Sequence, residues 1–389
     1  MYAYIQGLNK DGDIVFVGPS HSFFTPQAPS SSYAPVKIAE SSITIQLQHG
    51  PTHLIIPGEL TSGRVYLAEQ PLQFAIVRFG NDSSGLVTPD ATNEKDASMK
   101  VPWGFAEFTF SEKAGLILNP SYVDFAPPLA LELSAEGSTK STTQVNTGLP
   151  VDGLARICDM LKAQAAIDGQ PWDQLCIRDQ DAGKILRVVS PNIRRYQMRT
   201  PGRIQNSSNI FDGYFESYVG EVWQHYASQP GGLTFDTQSP TGDILCTMQG
   251  DVFNCDHNAG TISKPSTGDI LTCSEGQLAN VGTDEHKSVV ARMCAAFVRS
   301  TIMPSKKLPD MKTARQPSND IKPNMYYTND VCNHYSRIIH SVLPGKRGYA
   351  FPYDDVNPPE PGNQTMSADG IISVRNPEWV KITIGGRAN

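Results

Sequence analysis

Two acidic residues sit in company that acids normally avoid. In Pro102-Trp-Gly-Phe-Ala-Glu-Phe-Thr-Phe-Ser111, strand alternation puts Trp103, Phe105, Glu107 and Thr109 on one face and Ala106, Phe108 and Phe110 on the other. An ionised carboxylate in an aromatic row has to be hydrated, paired or used. The same holds for Asp124, between Val123 and Phe125 in a short following β run. Ser111-Glu-Lys-Ala-Gly115 and Asn119-Pro-Ser121 are turn chemistry, so the strands can fold back and bring the two carboxylates together across a sheet. Two carboxylates flanking a glycosidic bond are the minimum equipment for hydrolysing it. One protonates the leaving oxygen, and the other activates water or attacks the sugar. The plain alternative is a pair of ordinary strand-surface carboxylates. Arg64, in Gly63-Arg-Val-Tyr66, is then either their counter-charge or an exposed cation.

Other candidates carry their own plain readings. Asp354 and Asp355, in Tyr349-Ala-Phe-Pro-Tyr-Asp-Asp-Val356, form a like-charge pair that is either a cleft wall or an exposed turn. Asp236 is a polar site inside a β run. Trp103, Trp172, Tyr122, Tyr349 and Tyr353 could stack on the apolar C–H faces of sugars, although an individual aromatic is more often core. Gly80-Asn-Asp-Ser-Ser-Gly85 is only a faint match to a serine-protease loop, with misplaced glycines and no matching His and Asp context. His49 and His53 have metal-like spacing, but the intervening Gly-Pro makes a turn rather than a helix. His334 and His340 are six residues apart and cannot pair on a helix. No Walker loop or dinucleotide glycine fingerprint is present, so neither a metal nor an organic cofactor is expected.

These side chains need a scaffold, and 389 residues suffice for a large core in more than one domain. Charged residues make up only 18%, with 29 Pro and 32 Gly, as suits a loop-rich β protein. A net charge of −7 and no cluster of Lys and Arg argue against a nucleic-acid surface, and an acidic cleft suits a neutral polyhydroxylated substrate. No apolar run approaches membrane-spanning length.

Up to about residue 145 the pattern predicts short strands: Ile14–Val17, Val36–Ile38, Ile43–Leu47, His53–Ile56, Gly63–Leu67, Phe74–Phe79, then the stretch through Leu133, followed by a polar crossing at Ala135–Thr143. Beyond Pro150, helical stripes begin at Leu154, Phe211, Val289 and Val331, with strands expected at Ile185–Val189, Gly232–Phe235 and Ile244–Met248. Strand signals return at Ile371–Val374 and Val380–Ile384, as if to complete the first sheet system.

Seven cysteines fall between Cys158 and Cys332 without zinc spacing, so disulfides are expected, Cys158–Cys176 first among them, with one thiol left over. Asn81, Asn206 and Asn363 head glycosylation sequons. The chain opens in strand-like sequence with no leader in view, so the expectation of an extracellular protein rests on other grounds. A monomer is the default.

Longer motifs carry a resemblance. Ala106-Glu-Phe-Thr-Phe110, Ser121-Tyr-Val-Asp-Phe125 and Tyr349-Ala-Phe-Pro-Tyr-Asp-Asp355 resemble the acidic cleft of thaumatin-like folds. Ala155-Arg-Ile-Cys158, Pro171-Trp-Asp-Gln-Leu-Cys176, Gly213-Tyr-Phe-Glu-Ser-Tyr-Val219, Thr234-Phe-Asp-Thr-Gln238 and Asn333-His-Tyr-Ser-Arg-Ile-Ile-His340 are similar to glycoside hydrolase family 64, the laminaripentaose-producing type of β-1,3-glucanase. The resemblance implies a mainly β protein: a thaumatin-like β-barrel or sandwich domain (1–147 with 346–389) packed on a mixed α/β domain (148–345), with a wide cleft between them. It implies inverting hydrolysis of β-1,3-glucan, with Glu107 as general acid at a raised pKa and Asp124 as general base. Thr109, Ser121, Trp103, Tyr122, Asp354 and Asp355 are the expected sugar contacts. A glucan-binding or defence protein without hydrolysis is the rival. Leu116 stands where the bacterial members are expected to carry an aromatic, which leaves product length open.

Overall fold

The computed structural model describes residues 1–29, 34–80, 83–93, 95–138, 143–179, 183–199, 210–358 and 368–385. Most of the early strand signals assemble into one antiparallel sheet of β1 (Tyr2–Leu8), β2 (Ile14–Val17), β3 (Phe23–Phe24), β5 (Ile45–Gln46), β6 (Leu60–Ala68), β9 (Trp103–Ser111), β10 (Gly115–Pro120) and β21 (Ile372–Val374). Its order is β21-β10-β9-β6-β1-β2-β3, with β5 also on β1. Alternation turns Ala3, Ile5, Val15, Val17, Leu67, Ala106, Phe108, Leu116, Leu118, Ile372 and Val374 to one face, and all are buried. Leu131, Leu133 and Ala135 meet them from β12 (Leu131–Gly137), which lies between β13 (Gln144–Asn146) and β22 (Pro377–Ile384). The result is a sandwich of open sheets. Among the described residues β21 and β3 remain at the edges, and no closed barrel forms. The return of the late strands to the first sheet system is as expected from the sequence.

A smaller sheet holds β4 (Val36–Lys37), β7 (Ala75–Phe79) and β8 (Ser83–Val87). Another, of β11 (Phe125–Ala126), β15 (Ile185–Val189) and β14 (Cys176–Arg178), joins the sandwich to the mixed region. A fifth, β19-β18-β17-β16-β20, is built from β16 (Leu233–Asp236), β17 (Asp243–Gln249), β18 (Val252–Cys255), β19 (Gly260–Ile262) and β20 (Arg315–Gln316).

The helices are α1 (Glu40–Ile43), α2 (Gly153–Asp168), α3 (Pro191–Arg199), α4 (Glu216–Ala227), α5 (Thr267–Thr272), α6 (Asp284–Val298) and α7 (His334–Val342). Gly169 ends α2 in the left-handed region at φ 71°. Thr283 and Asn333 cap α6 and α7 with their side chains. The expected helix from Phe211 starts only at Glu216, because Phe211 and Gly213 both take positive φ. Ile43–Leu47 divides into the end of α1 and the two-residue β5, and His53–Ile56 finds no strand partner. Asn119 and Pro120 are not a turn but the end of β10.

Three disulfides form, Cys158–Cys176 as expected, Cys246–Cys255 across β17 and β18, and Cys273–Cys294 between α5 and α6. Cys332 is left over, and burial pushes its thiol up to about 12. The sequon residues Asn81, Asn206 and Asn363 lie outside the described residues, as does part of the polar crossing after Gly137.

One buried cation holds these parts in register. Arg187 on β15 is fully buried, and its guanidinium donates to the carbonyls of Ala91 (2.9 Å), Met99 (2.8 Å) and Val101 (3.1 Å) in the loop that leads into β9. It also lies over the rings of Trp103 and Phe125 at 5.5 and 5.7 Å. Burial pushes it down to about 10, with Asp90 and Asp96 acting in the other direction. Replacing it orphans three buried carbonyls. Arg187→Met is therefore expected to cost about 3 kcal/mol of stability, read as a lower urea midpoint with an unchanged slope. A midpoint equal to that of the parent would remove Arg187 from this role.

Candidate active site

Register places the polar side chains of the large sheet in a line. Arg64 on β6 is opposite Glu107 on β9, Asn119 on β10 is opposite Glu107 from the other side, and Gln6 on β1 is opposite Arg64. Facing residues share a sheet face, so Gln6, Arg64, Glu107 and Asn119 make one row across four strands. Along the strands in one direction the same face becomes aromatic and buried, through Tyr4, Tyr66, Phe105 and Trp103. In the other direction lies the half-buried Thr109. The acid that looked out of place in its aromatic row thus marks where the sheet emerges from the core.

Arg64 ties the two sequence-predicted carboxylates together. Its Nε and Nη2 donate to the same Glu107 oxygen, at 3.1 and 2.8 Å, and Nη2 also stands 3.9 Å from Asp124 Oδ2. Glu107 and Asp124 therefore face each other at less than the sum of the two Nη2 distances. The guanidinium lies 4.5 Å from the centre of the Phe105 ring, which supports it from below. Arg64, Glu107 and Asp124 keep 30%, 31% and 40% of their side-chain surface exposed, so a ligand can reach all three. Of the two readings of Arg64, the counter-charge is the one that forms.

Asp124 arrives from a different element. It sits in a bend before β11, and its carbonyl accepts from the Ser190 amide at 2.9 Å. Burial pushes its carboxyl above the usual carboxylate range; Arg64 pulls it down and Glu107 adds to the rise. Asp124 is the carboxyl that burial raises, while Glu107 holds the closer contacts to the guanidinium.

Several expected sugar contacts have other partners. Trp103 is buried and donates to the Ser98 carbonyl at 3.1 Å. Tyr122 is buried, and its carbonyl accepts from the Tyr335 hydroxyl at 2.7 Å. Ser121 is buried in a backbone bridge to Tyr349. Asp354 is fully buried. Burial opposes its charge, yet His340 at 2.9 Å, Arg299 at 2.9 Å and the Ala350 amide at 2.8 Å hold its carboxyl below the usual range. These four are buried and already partnered. Trp172 and Asp236 are buried likewise, the latter paired with Arg315 at 2.9 Å. Thr109 and Asp355 remain accessible, Asp355 accepting from the Tyr349 hydroxyl at 2.9 Å. Leu116 points into the sandwich core, on the face opposite Glu107. Its aliphatic character therefore says nothing about the site. Gln6 and Asn119, unlike Arg64, escaped the sequence reading.

Because the folded-state carboxyl of Asp124 is raised, the stability it contributes is full below its unfolded value near 3.9 and is lost as pH rises through the raised value. Asp124→Asn is therefore expected to raise the melting temperature at pH 7 by about 1–2 °C, kept small by solvent screening. The gain should fade towards pH 3. A gain of equal size at both pH values would show that charge is not its cause.

A family model described as beta-1,3-glucanase matches residues 1–384. A glucan endo-1,3-beta-glucosidase of Cellulosimicrobium cellulans is 27% identical over 303 residues, and one of Arthrobacter sp. is 26% identical over the same length. The aligned stretch is 76% of this chain but 48% of each relative, so the chain spans about half the length of these proteins. In fold it is similar to a laminaripentaose-producing beta-1,3-glucanase in complex with laminaritetraose, with a TM-score of 0.76 at 20% identity, covering 98% of this chain and 94% of that one. A beta-1,3-glucanase domain from Clostridium beijerinckii gives 0.71 at 20% identity, covering 99% and 93%.

Proposed function

The chain belongs to glycoside hydrolase family 64, the β-1,3-glucanases, and from that premise we propose that it hydrolyses β-1,3-glucan to short laminari-oligosaccharides such as the pentaose, using Glu107 and Asp124. The observation that carries this reading is the shared guanidinium: two accessible carboxylates are held face to face by Arg64 on a sheet whose other polar residues line up beside them. In the proposed inverting route, Glu107 gives its proton to the glycosidic oxygen as the C1–O bond breaks. Asp124 takes a proton from the water that attacks C1 on the opposite face, so the new reducing end is α. Glu107 must be protonated when substrate is bound, which requires Arg64 to swing towards Asp124 as the glycosidic oxygen arrives. The Nη2 already within 4 Å of both groups makes that a small movement.

A second reading exchanges the roles. It is favoured by the raised carboxyl of Asp124 and by the two hydrogen bonds from Arg64 that Glu107 accepts. Thr109 and Asp355 are proposed sugar contacts. The sandwich, read as thaumatin-like, and the mixed α/β region would form the two walls of the cleft. The disulfides fit an oxidising, extracellular setting.

Glu107→Gln and Asp124→Asn are each expected to lower kcat on laminarin by about 10²–10⁴-fold while both proteins still bind the glucan. Proton NMR of the parent's first products should show the α-anomer. An aryl laminarioside with a good leaving group separates the readings, because only the variant lacking the acid retains its rate on that substrate. Rate retained by Asp124→Asn would establish the exchanged roles. Binding by the parent with no turnover would leave a glucan-binding protein.

A further inference from the structure

The row across the sheet continues past the two carboxylates. Gln6 and Asn119 occupy its ends, both half-buried, and among the described residues neither carboxamide has a hydrogen-bond partner. Each carboxamide offers two donors and an acceptor to a ligand hydroxyl. Their places relative to Glu107 are fixed by strand order. Asn119 is one strand away on β10, about 4.8 Å, and Gln6 is two strands away on the opposite side, about 9.6 Å.

The face also has a preferred direction. A chain laid along β9 would run into the buried Trp103, Phe105 and Tyr66 on one side of Glu107, so it could extend only towards Thr109. Across the strands, both flanks of Glu107 carry polar, accessible groups. The row closes at Phe16, which faces Gln6 from β2 and is fully buried.

We propose that Gln6 and Asn119 bind sugar hydroxyls on opposite sides of the cleaved bond, so that the glucan crosses the strands of the large sheet instead of running along them. This deepens the proposed glucanase reading and rests on it for the identity of the ligand. Both residues are specificity-determining: they hold sugar units flanking the reacting one and take no part in proton transfer.

Gln6→Leu and Asn119→Leu remove the polar ends at nearly constant volume. In native gels cast with laminarin, each is expected to weaken retention about 3–10-fold in apparent Kd. In kinetics, KM for laminarin should rise, while the rate on a short aryl laminarioside that does not span both flanks changes far less in at least one variant. The double variant should lose roughly the product of the two effects. Serine at either position repeats the test should leucine unfold the sheet, with the melting temperature as the control. Retention within twofold of the parent in both single variants overturns the proposal, as does an equal loss on long and short substrates. Run in the cold, where turnover is slow, gel retention reads binding and not catalysis, so it remains decisive even if Glu107→Gln were to stay active and the acid–base reading failed.

Discussion

Two carboxylates that share one guanidinium repel each other, and a protein that keeps them there has to place a positive charge between them. Arg64 meets that constraint, and much of the surrounding structure follows from it. The guanidinium cannot be deprotonated to relieve its own desolvation, so it needs the ring of Phe105 beneath it and acceptors at its edge. That demand fixes β6 beside β9 in one register. A slip by one residue would send Arg64 and Glu107 to opposite faces and turn the aromatics of the buried end towards solvent.

The second carboxylate comes from outside the sheet, which is the harder part of the construction. Asp124 is anchored through its carbonyl to Ser190, and the adjoining β11 pairs with β15. Arg187, on that same β15, grips the loop entering β9. The carriers of Glu107 and Asp124 are thus connected twice, once at the surface by a half-exposed cation and once in the interior by a fully buried one. The interior connection leaves the surface one free to change its partners without disturbing the backbone.

How much of this the sequence disclosed depended on how local each signal was. Glu107 and Asp124 could be picked out because their neighbours made them anomalous, and the helices of the second half because long stripes repeat many times. Helix α5, with six residues, is too short for a period to emerge, and its Ser266–Asp269 capping box is found only in the structure. The burial of Trp103 and Tyr122 was hidden for the opposite reason: an aromatic flanking an acid looks the same in sequence whether it faces solvent or the core. The row from Gln6 to Asn119 was invisible, because its members come from four strands whose order only the folded sheet establishes. Asn119 was further disguised by Pro120, whose turn character was overruled by pairing at the end of β10.

The two late strands also impose a delay on the folding chain. Leu118 pairs with Ile372, and Leu131 with Ile384, so both layers of the sandwich wait for segments made about 250 residues after their partners. At typical rates of synthesis that delay is on the order of 10–50 seconds. Throughout it the outer edges of β10 and β12 are bare, and edges of that kind invite pairing with other chains. The intervening mixed region can form its own sheets and disulfides in the meantime, which would shorten the effective loop to be closed. A newly made chain is therefore most vulnerable to aggregation while Glu107 and Asp124, already synthesised, still lack a finished sheet to hold them.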